Sequence, residues 1–268
     1  MWMKLFFYSL SSGSSGNCYY VGNVSRGILI DAGISERSIR THLKKIGIPI
    51  QSIMGVLVTH KHSDHARGVE VLARKNHIPV FTTQAVWKSL LTPHAKLSKD
   101  HFREIPLQKK FVIAGFDIEA FPVQHDAPET IGFQICTSGK TITIATDLGT
   151  ICQTAAPYIM ASNLLVLESN YDEQMLTNGQ YPAFLKARIR SDHGHLGNHQ
   201  ASAFLAENLN SHLTNICLAH LSVHNNTPQL ALDTLHQTFS DRGISLNGNL
   251  RITVLSRNVP SEVIRLVE

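Results

Sequence analysis

Three histidines and an aspartate fall within six positions of the stretch Val58-Thr59-His60-Lys61-His62-Ser63-Asp64-His65-Ala66-Arg67-Gly68. Neutral imidazole and carboxylate are the ligands that zinc and similar ions prefer, so the chemistry to expect there is metal binding. A polar loop in a histidine-rich chain is the plain alternative, since 15 of the 268 residues are histidine. Three further candidates each follow an apolar run: His125 after Phe121-Pro122-Val123-Gln124, Asp147 after Ile144-Ala145-Thr146, and His220 after Cys217-Leu218-Ala219. Singly, each reads as a hydrogen-bonded residue beyond a strand. Together they repeat one pattern, apolar strand then ligand, by which a sheet gathers distant residues onto one edge.

Strands must therefore position these groups. Met54-Gly55-Val56-Leu57-Val58 is a short apolar run of the buried-strand kind, with the histidine loop at its C-terminal end. Residues 4–9 and 18–22 read as strands flanking Ser11-Ser12-Gly13-Ser14-Ser15-Gly16-Asn17, whose glycines permit a tight turn. Gly27-Ile28-Leu29-Ile30-Asp31 is another strand, and Asp31 is either a turn acid or the carboxylate partner of a ligating imidazole. Ser35 caps a helix over 36–46, which Gly47 and Pro49 stop. A helix near 67–76 turns Val69, Val71, Leu72 and Ala73 inward; a strand over 79–81 and a helix over 83–91 follow. Residues 92–108 carry His94, Lys99, His101 and Arg103 and read as a flexible surface segment or lid.

Segments 110–114, 117–123, 131–137 and 140–146 alternate as an antiparallel meander does. Beyond them helices near 152–160, 181–190, 198–209 and 228–238 interleave with strands 163–168, 215–219 and 250–255. The fold class this predicts is α/β, a four-layer αββα sandwich. Without a Pro/Gly/Ser-rich linker, residues 1–268 read as a single domain.

Composition bounds the partners. Hydrophobic content of 43% supports a sizeable core, and 16% charged residues is low for a disordered chain. The net charge of +4 suits a polyanionic substrate but is far from a nucleic-acid-coating tail. No export signal opens the sequence and no run approaches the ~18 apolar residues of a membrane span. Cys18, Cys136, Cys152 and Cys217 are isolated, without CxxC spacing, which favours reduced thiols and a cytoplasmic protein without a membrane partner.

The ordered set His60-x-His62-x-Asp64-His65-x-x-Gly68, His125, Asp147 and His220 resembles the metallo-β-lactamase-fold hydrolases over nearly the whole chain. Ser9-Leu10-x-Ser12-Gly13-Ser14-x-Gly16-Asn17-Cys18, Gly194-His195-Leu196-x-Asn198 and His220-Leu221-Ser222-x-x-Asn225-Asn226-x-Pro228 are similar to the YycJ/WalJ-type branch. Its members are implicated as double-strand DNA 5′-to-3′ exonucleases. Gly197 departs from the serine of that branch's Gly-His-Leu-Ser-Asn pattern, and Asp192-His193 gives the motif an unusually histidine-rich setting.

The resemblance implies that His60, His62 and His125 hold one divalent ion, that Asp64, His65 and His220 hold a second, and that Asp147 bridges them. Zinc and manganese are the candidate metals. Seven ligands exceed what one tetrahedral zinc needs, and a carboxylate can bridge ions roughly 3.5–4 Å apart. Asp64 also orients the attacking water in this reading. His195 resembles the histidine that tRNA-processing nucleases place near the scissile phosphate, and Glu168 is either its carboxylate partner or a salt-bridged acid at a strand end. His193 and His199 read as surface residues.

The expected function is a metal-dependent phosphodiesterase acting on nucleic acid, as a DNA 5′-to-3′ exonuclease. Arg67, Lys99, Arg103, Lys109 and Lys110 are available to a polyanion, although each alone reads as solvated surface. A thioester or lactone hydrolase of the glyoxalase-II kind is the alternative, since it shares the first motif. A secreted β-lactamase is disfavoured because His65 stands where many of those enzymes have arginine. A non-enzymatic scaffold is opposed by the intact ligand set, whose crowded polar groups cost stability unless used. The stretch from Asp147 to His220 reads as core fold throughout, with no room for the inserted domain of large RNA processors.

Overall fold

A computed structural model of the chain describes residues 5–137, 139–246 and 248–266. Among the described residues, fourteen strands form two seven-stranded mixed sheets. The first contains β1 (Leu5–Ser11), β2 (Cys18–Gly22), β3 (Gly27–Ile30), β4 (Ile53–Leu57), β5 (Val80–Thr82), β6 (Phe102–Glu104) and β14 (Ile264–Leu266), in the order β14-β1-β2-β3-β4-β5-β6. β14, β1, β2 and β3 pair antiparallel, whereas β3 through β6 run parallel. The second sheet contains β7 (Phe111–Ile113), β8 (Phe116–Pro122), β9 (Ile131–Thr137), β10 (Lys140–Ala145), β11 (Leu164–Glu168), β12 (Asn215–Ala219) and β13 (Arg251–Val254), and they lie side by side in chain order. It is antiparallel where the meander was expected and parallel from β10 to β13. The expected strand 4–9 begins with a residue outside the described ones.

The chain condenses into two compact units. One runs up to Ala120 and takes in Ala127–Glu129 and the chain from Arg257 onward; the other is Phe121–Asp126 with Thr130–Ser256. In the first, alternate residues of the strands (Tyr8, Leu10, Tyr20, Leu29, Val56, Val80) share a core with helices α1 (Glu36–Lys45), α3 (Val69–Asn76) and α4 (Gln84–Leu90). A short helix, α2 (Ser63–Ala66), lies within the histidine loop. Ser35 caps α1 as expected, its Oγ accepting the Ser38 N–H at 3.1 Å, and Gly47 beyond the end has φ +77°. In the second unit, Ala145, Leu165, Leu167, Ile216 and Leu218 pack under α5 (Ala156–Met160), α8 (Asn198–Asn208) and α9 (Pro228–Asp241). A separate small cluster joins Tyr171, Leu176 and Ile189 between α6 (Glu173–Asn178) and α7 (Ala183–Arg190).

Three expectations need correction. The helix anticipated near 67–76 is α3, which starts at Val69, but Val71 points outward with 48% of its surface exposed. Helical spacing explains this, since Val69, Leu72 and Ala73 already complete the buried stripe. The segment 92–108 is not simply a mobile lid, because β6 extends the first sheet in parallel with β5 and Phe102 stacks on Trp87 at 4.8 Å. Arg67, expected to be available to a polyanion, spends its Nη2 on the carbonyls of Ser15 and Gly33.

Candidate metal centre

The candidate residues divide between the two units. In the first unit, His60, His62, Asp64 and His65 follow β4. Ring centroids of His62 and His65 lie 4.6 and 4.2 Å from that of His60. Backbone hydrogen bonds fix their loop: Asn17 N donates to Asp64 O at 2.7 Å, Ala32 N to His65 O at 2.8 Å and Gly68 N to Ala32 O at 2.7 Å. Only glycine fits at position 33, where a Cβ would stand 1.6 Å from Asp64 O.

Asp31, fully buried one residue past β3, accepts from Thr59 N at 2.8 Å and faces His65 Nδ1 at 2.6 Å. That contact places the His65 proton on Nδ1. Asn17 Nδ2 then lies 2.9 Å from Nε2 and donates to its lone pair, the same lone pair a metal would use. Burial pushes the Asp31 carboxyl above the usual carboxylate range, while His65 and Thr59 pull it back in part.

In the second unit, Asp147, Glu168, His195 and His220 offer ligand atoms within 4.8 Å of one another. Glu168 closes β11 and is fully buried. Its Oε1 lies 2.8 Å from both His195 Nδ1 and His220 Nδ1, and its Oε2 accepts the Leu148 and Leu196 N–H groups at 2.9 and 3.3 Å. Burial alone would raise Glu168, but the two histidines outweigh it and hold the carboxyl below its ordinary value. Burial likewise opposes charge on His195, yet Glu168 and, further off, Asp147 raise its pKa. His125 donates from Nδ1 to Gly194 O at 2.9 Å, and Asp147 Oδ1 stands 3.7 Å from His125 Nε2 and 3.6 Å from His220 Nδ1.

Asp31, Asp147 and His220 share left-handed backbone, with φ of 60°, 56° and 55°. Non-glycine residues adopt this conformation at a cost of order 1–3 kcal/mol, and such strain collects at functional sites. In each case the chain has just left a strand and turns sharply, so the side chain stands at the sheet's end.

The donor set suits a divalent cation. His65, His125 and His220 each have Nδ1 engaged by a carboxylate or carbonyl, which fixes the tautomer and makes Nε2 the atom that would ligate a cation. Sequence reasoning missed three supporting side chains. Asn17 touches His65, Thr59 Oγ1 lies 3.0 Å from His60 Nδ1, and Asn170 Nδ2 donates to His220 O at 2.8 Å. Asn17 sat in a motif already singled out, whereas nothing in the local sequence marks Asn170. His193 and His199 are exposed.

Residues 26–213 match the family model of the β-lactamase superfamily domain. The chain belongs to that superfamily and is a metallo-β-lactamase-fold hydrolase, of the α/β class expected from its sequence. More narrowly, it falls with the YycJ/WalJ-type proteins. It is 33% identical over 270 residues to exodeoxyribonuclease YycJ of Bacillus anthracis, covering 97% of this chain and 99% of the relative. It is 31% identical to exodeoxyribonuclease WalJ of Streptococcus pneumoniae over 92% of this chain and 93% of the relative. Among solved structures, the metallo-β-lactamase-fold protein YhfI of Bacillus subtilis shares the fold with TM-score 0.69 at 16% identity, covering 96% of this chain and 99% of that one.

Proposed function

We propose that the protein is a metal-dependent phosphodiesterase that removes nucleotides from DNA ends in the 5′-to-3′ direction. The observation that carries this reading is likeness along the full chain, not the first motif alone, to proteins named exodeoxyribonucleases. The chain works as one catalytic domain, a reading supported by the fact that neither compact unit is a continuous segment. A cytoplasmic setting is supported by four free cysteines, two of them buried, with burial pushing the Cys217 thiol up to about 12. Among the described residues no helix is long and apolar enough to cross a membrane.

By the family pattern, His60, His62 and His125 would hold one ion and Asp64, His65 and His220 a second, with Asp147 a ligand available to both. Bound zinc or manganese would acidify water towards a pKa of about 7 and neutralise phosphate charge. Asp31 and Glu168 hold their imidazoles in the metal-binding tautomer. Asp64 orients the attacking water. Glu168 accepts from His195 Nδ1 and favours the imidazolium, which carries a proton on both ring nitrogens, so that Nε2 can donate to a phosphate oxygen or to the leaving oxygen. Recognition runs through backbone charge, since no base-reading motif stands out in the sequence.

Duplex DNA, single-stranded DNA and RNA labelled separately at each end test the reading, with added Mn²⁺ or Zn²⁺. Release of the 5′ label first from duplex DNA, lost in His62→Ala, is the expected result. Intact polymers beside hydrolysis of a thioester or lactone would overturn it in favour of the small-molecule alternative.

A further inference from the structure

Buried amides collect beside His195 and His220, and the chemistry above gives them no task. Ser169, Asn170, Asn198 and Asn226 are at most 5% exposed. They lie on three stretches of chain, each of which starts from one member of the Glu168 cluster: Ser169–Asp172 continues from Glu168, Leu196–Asn198 from His195, and Leu221–Asn226 from His220. Backbone hydrogen bonds pair the first stretch with both others. Asn170 N donates to Leu196 O at 2.8 Å and Asn198 N to Tyr171 O at 2.9 Å; Ser222 N donates to Asn170 O at 2.8 Å and Asp172 N to Asn225 O at 2.7 Å.

One pair of side chains closes the three together. Asn198 Nδ2 donates to Asn226 Oδ1 at 3.0 Å, and Asn226 Nδ2 returns the bond to Asn198 Oδ1 at 2.8 Å. Ser169 Oγ donates to the same Asn198 oxygen at 2.6 Å. The backbone sets which end of the Asn226 amide is which: its oxygen takes the Thr227 N–H at 2.9 Å, and its nitrogen donates to Ser169 O at 2.9 Å. Asn198 must then present the complementary order.

Helix α8 has little else to hold this end. Its N-cap is Gly197, which has no side chain to accept an N–H, and a Cβ there would stand 3.0 Å from the Tyr171 ring. Gln200 Oε1 takes the Gly197 N–H at 2.8 Å. His220 has its own fastening, because Asn170 Nδ2 donates to its carbonyl and Glu168 takes its Nδ1. His195 is held by Glu168 and, through its backbone N–H, by Ile189 O, and its side chain keeps 23% of its surface exposed. Its register over Glu168 therefore depends on where α8 begins.

We propose that the Asn198–Asn226 pair is a positioning device for His195. It fixes the start of α8 against the stretches from Glu168 and His220, and so keeps the His195 imidazole 2.8 Å from Glu168. Buried amides that satisfy one another hold one geometry and penalise the rest. Neither asparagine is a catalytic residue; both act through His195. The inference rests on the role of His195 in the nuclease reading.

Asn198→Ala, Asn198→Asp and Asn226→Ala in the full chain test it, each made also together with His195→Ala. Asn198→Asp keeps the volume and sets a carboxylate oxygen against Asn226 Oδ1. Leu205→Ala, on the buried face of α8, is the control that loosens the helix without touching the pair. On end-labelled DNA with Mn²⁺, the asparagine variants should lose about 10²-fold in kcat with KM little changed, whereas Leu205→Ala keeps its kcat at a matched loss of thermal midpoint. In the His195→Ala background the same changes should cost less than about twofold. Equal losses in both backgrounds, or wild-type kcat in folded asparagine variants, would overturn the proposal. Nitrogen-15 NMR of the histidine side chains needs neither metal nor substrate. The slowly exchanging Nδ1–H of His195 should be present in the wild type and in Leu205→Ala and lost in the asparagine variants; its persistence in them would overturn the positioning role. That NMR pattern in a protein that cuts no DNA would sink the nuclease reading and leave the positioning role standing.

Discussion

Asp31 and Glu168 are both fully buried carboxylates at the ends of strands, yet the two units use them differently. Asp31 serves one imidazole, that of His65, and spends its remaining capacity on the Thr59 backbone and hydroxyl at the start of the loop. Glu168 serves two imidazoles from one oxygen and two backbone N–H groups from the other. The charge balance follows. With one histidine, burial still wins and Asp31 is pushed up; with two, the histidines win and Glu168 is held down. Asp31 therefore orients a single imidazole, whereas Glu168 joins the imidazoles of His220 and His195 through one oxygen.

That contrast can be broken by substitution. Glu168→Gln should have the largest effect, a drop in kcat of about 10³-fold or more, because it combines loss of an oriented acid with a weakened ligand. His195→Ala should lower kcat by about 10²–10⁴-fold on labelled DNA while bound metal, read by mass spectrometry, stays at the wild-type level. Asp31→Asn should weaken metal affinity about 10–100-fold, and excess Mn²⁺ should recover its turnover. If excess metal rescues Glu168→Gln equally well, the two carboxylates play one role and the contrast disappears.

The smallest effect lies away from the centre. Glu36 in α1 accepts from Arg40, Asn76 and Lys75 at 2.6–3.3 Å. Burial opposes its charge, but these donors outweigh burial and depress its pKa. A depressed carboxylate stabilises the fold above its unfolded pKa, about 4.3, and that stability is lost as pH falls through the lower folded value. Glu36→Gln should cost about 1–2 kcal/mol at pH 7 and less in acid, measured by urea unfolding at both pH values.

The two halves also differ in how plainly the sequence shows them. The first is compressed into one loop after one strand, so type and spacing expose His60, His62, Asp64 and His65 together. The second is spread over three strand ends, and only their order along the chain links them. Asp31 and Glu168 were each open to two readings, because a carboxylate at a strand end does not reveal its partner; the structure puts each beside a histidine. The left-handed turns at Asp31, Asp147 and His220 carry no glycine to announce them. Among the elements, α6, β6 and β14 escaped notice. β6 and β14 are three-residue edge strands, too short for alternation to show, and α6 has six residues, less than two helical turns. Val71 misleads because an apolar side chain continues a stripe that the helix has already rotated past.

The most direct measurement is the number of ions bound per chain after saturation with Zn²⁺ or Mn²⁺ and removal of the excess, by native mass spectrometry. The proposed seven-ligand set predicts about two ions, falling when either His60 or His220 is replaced by alanine. Fewer than about one ion per wild-type chain would contradict it.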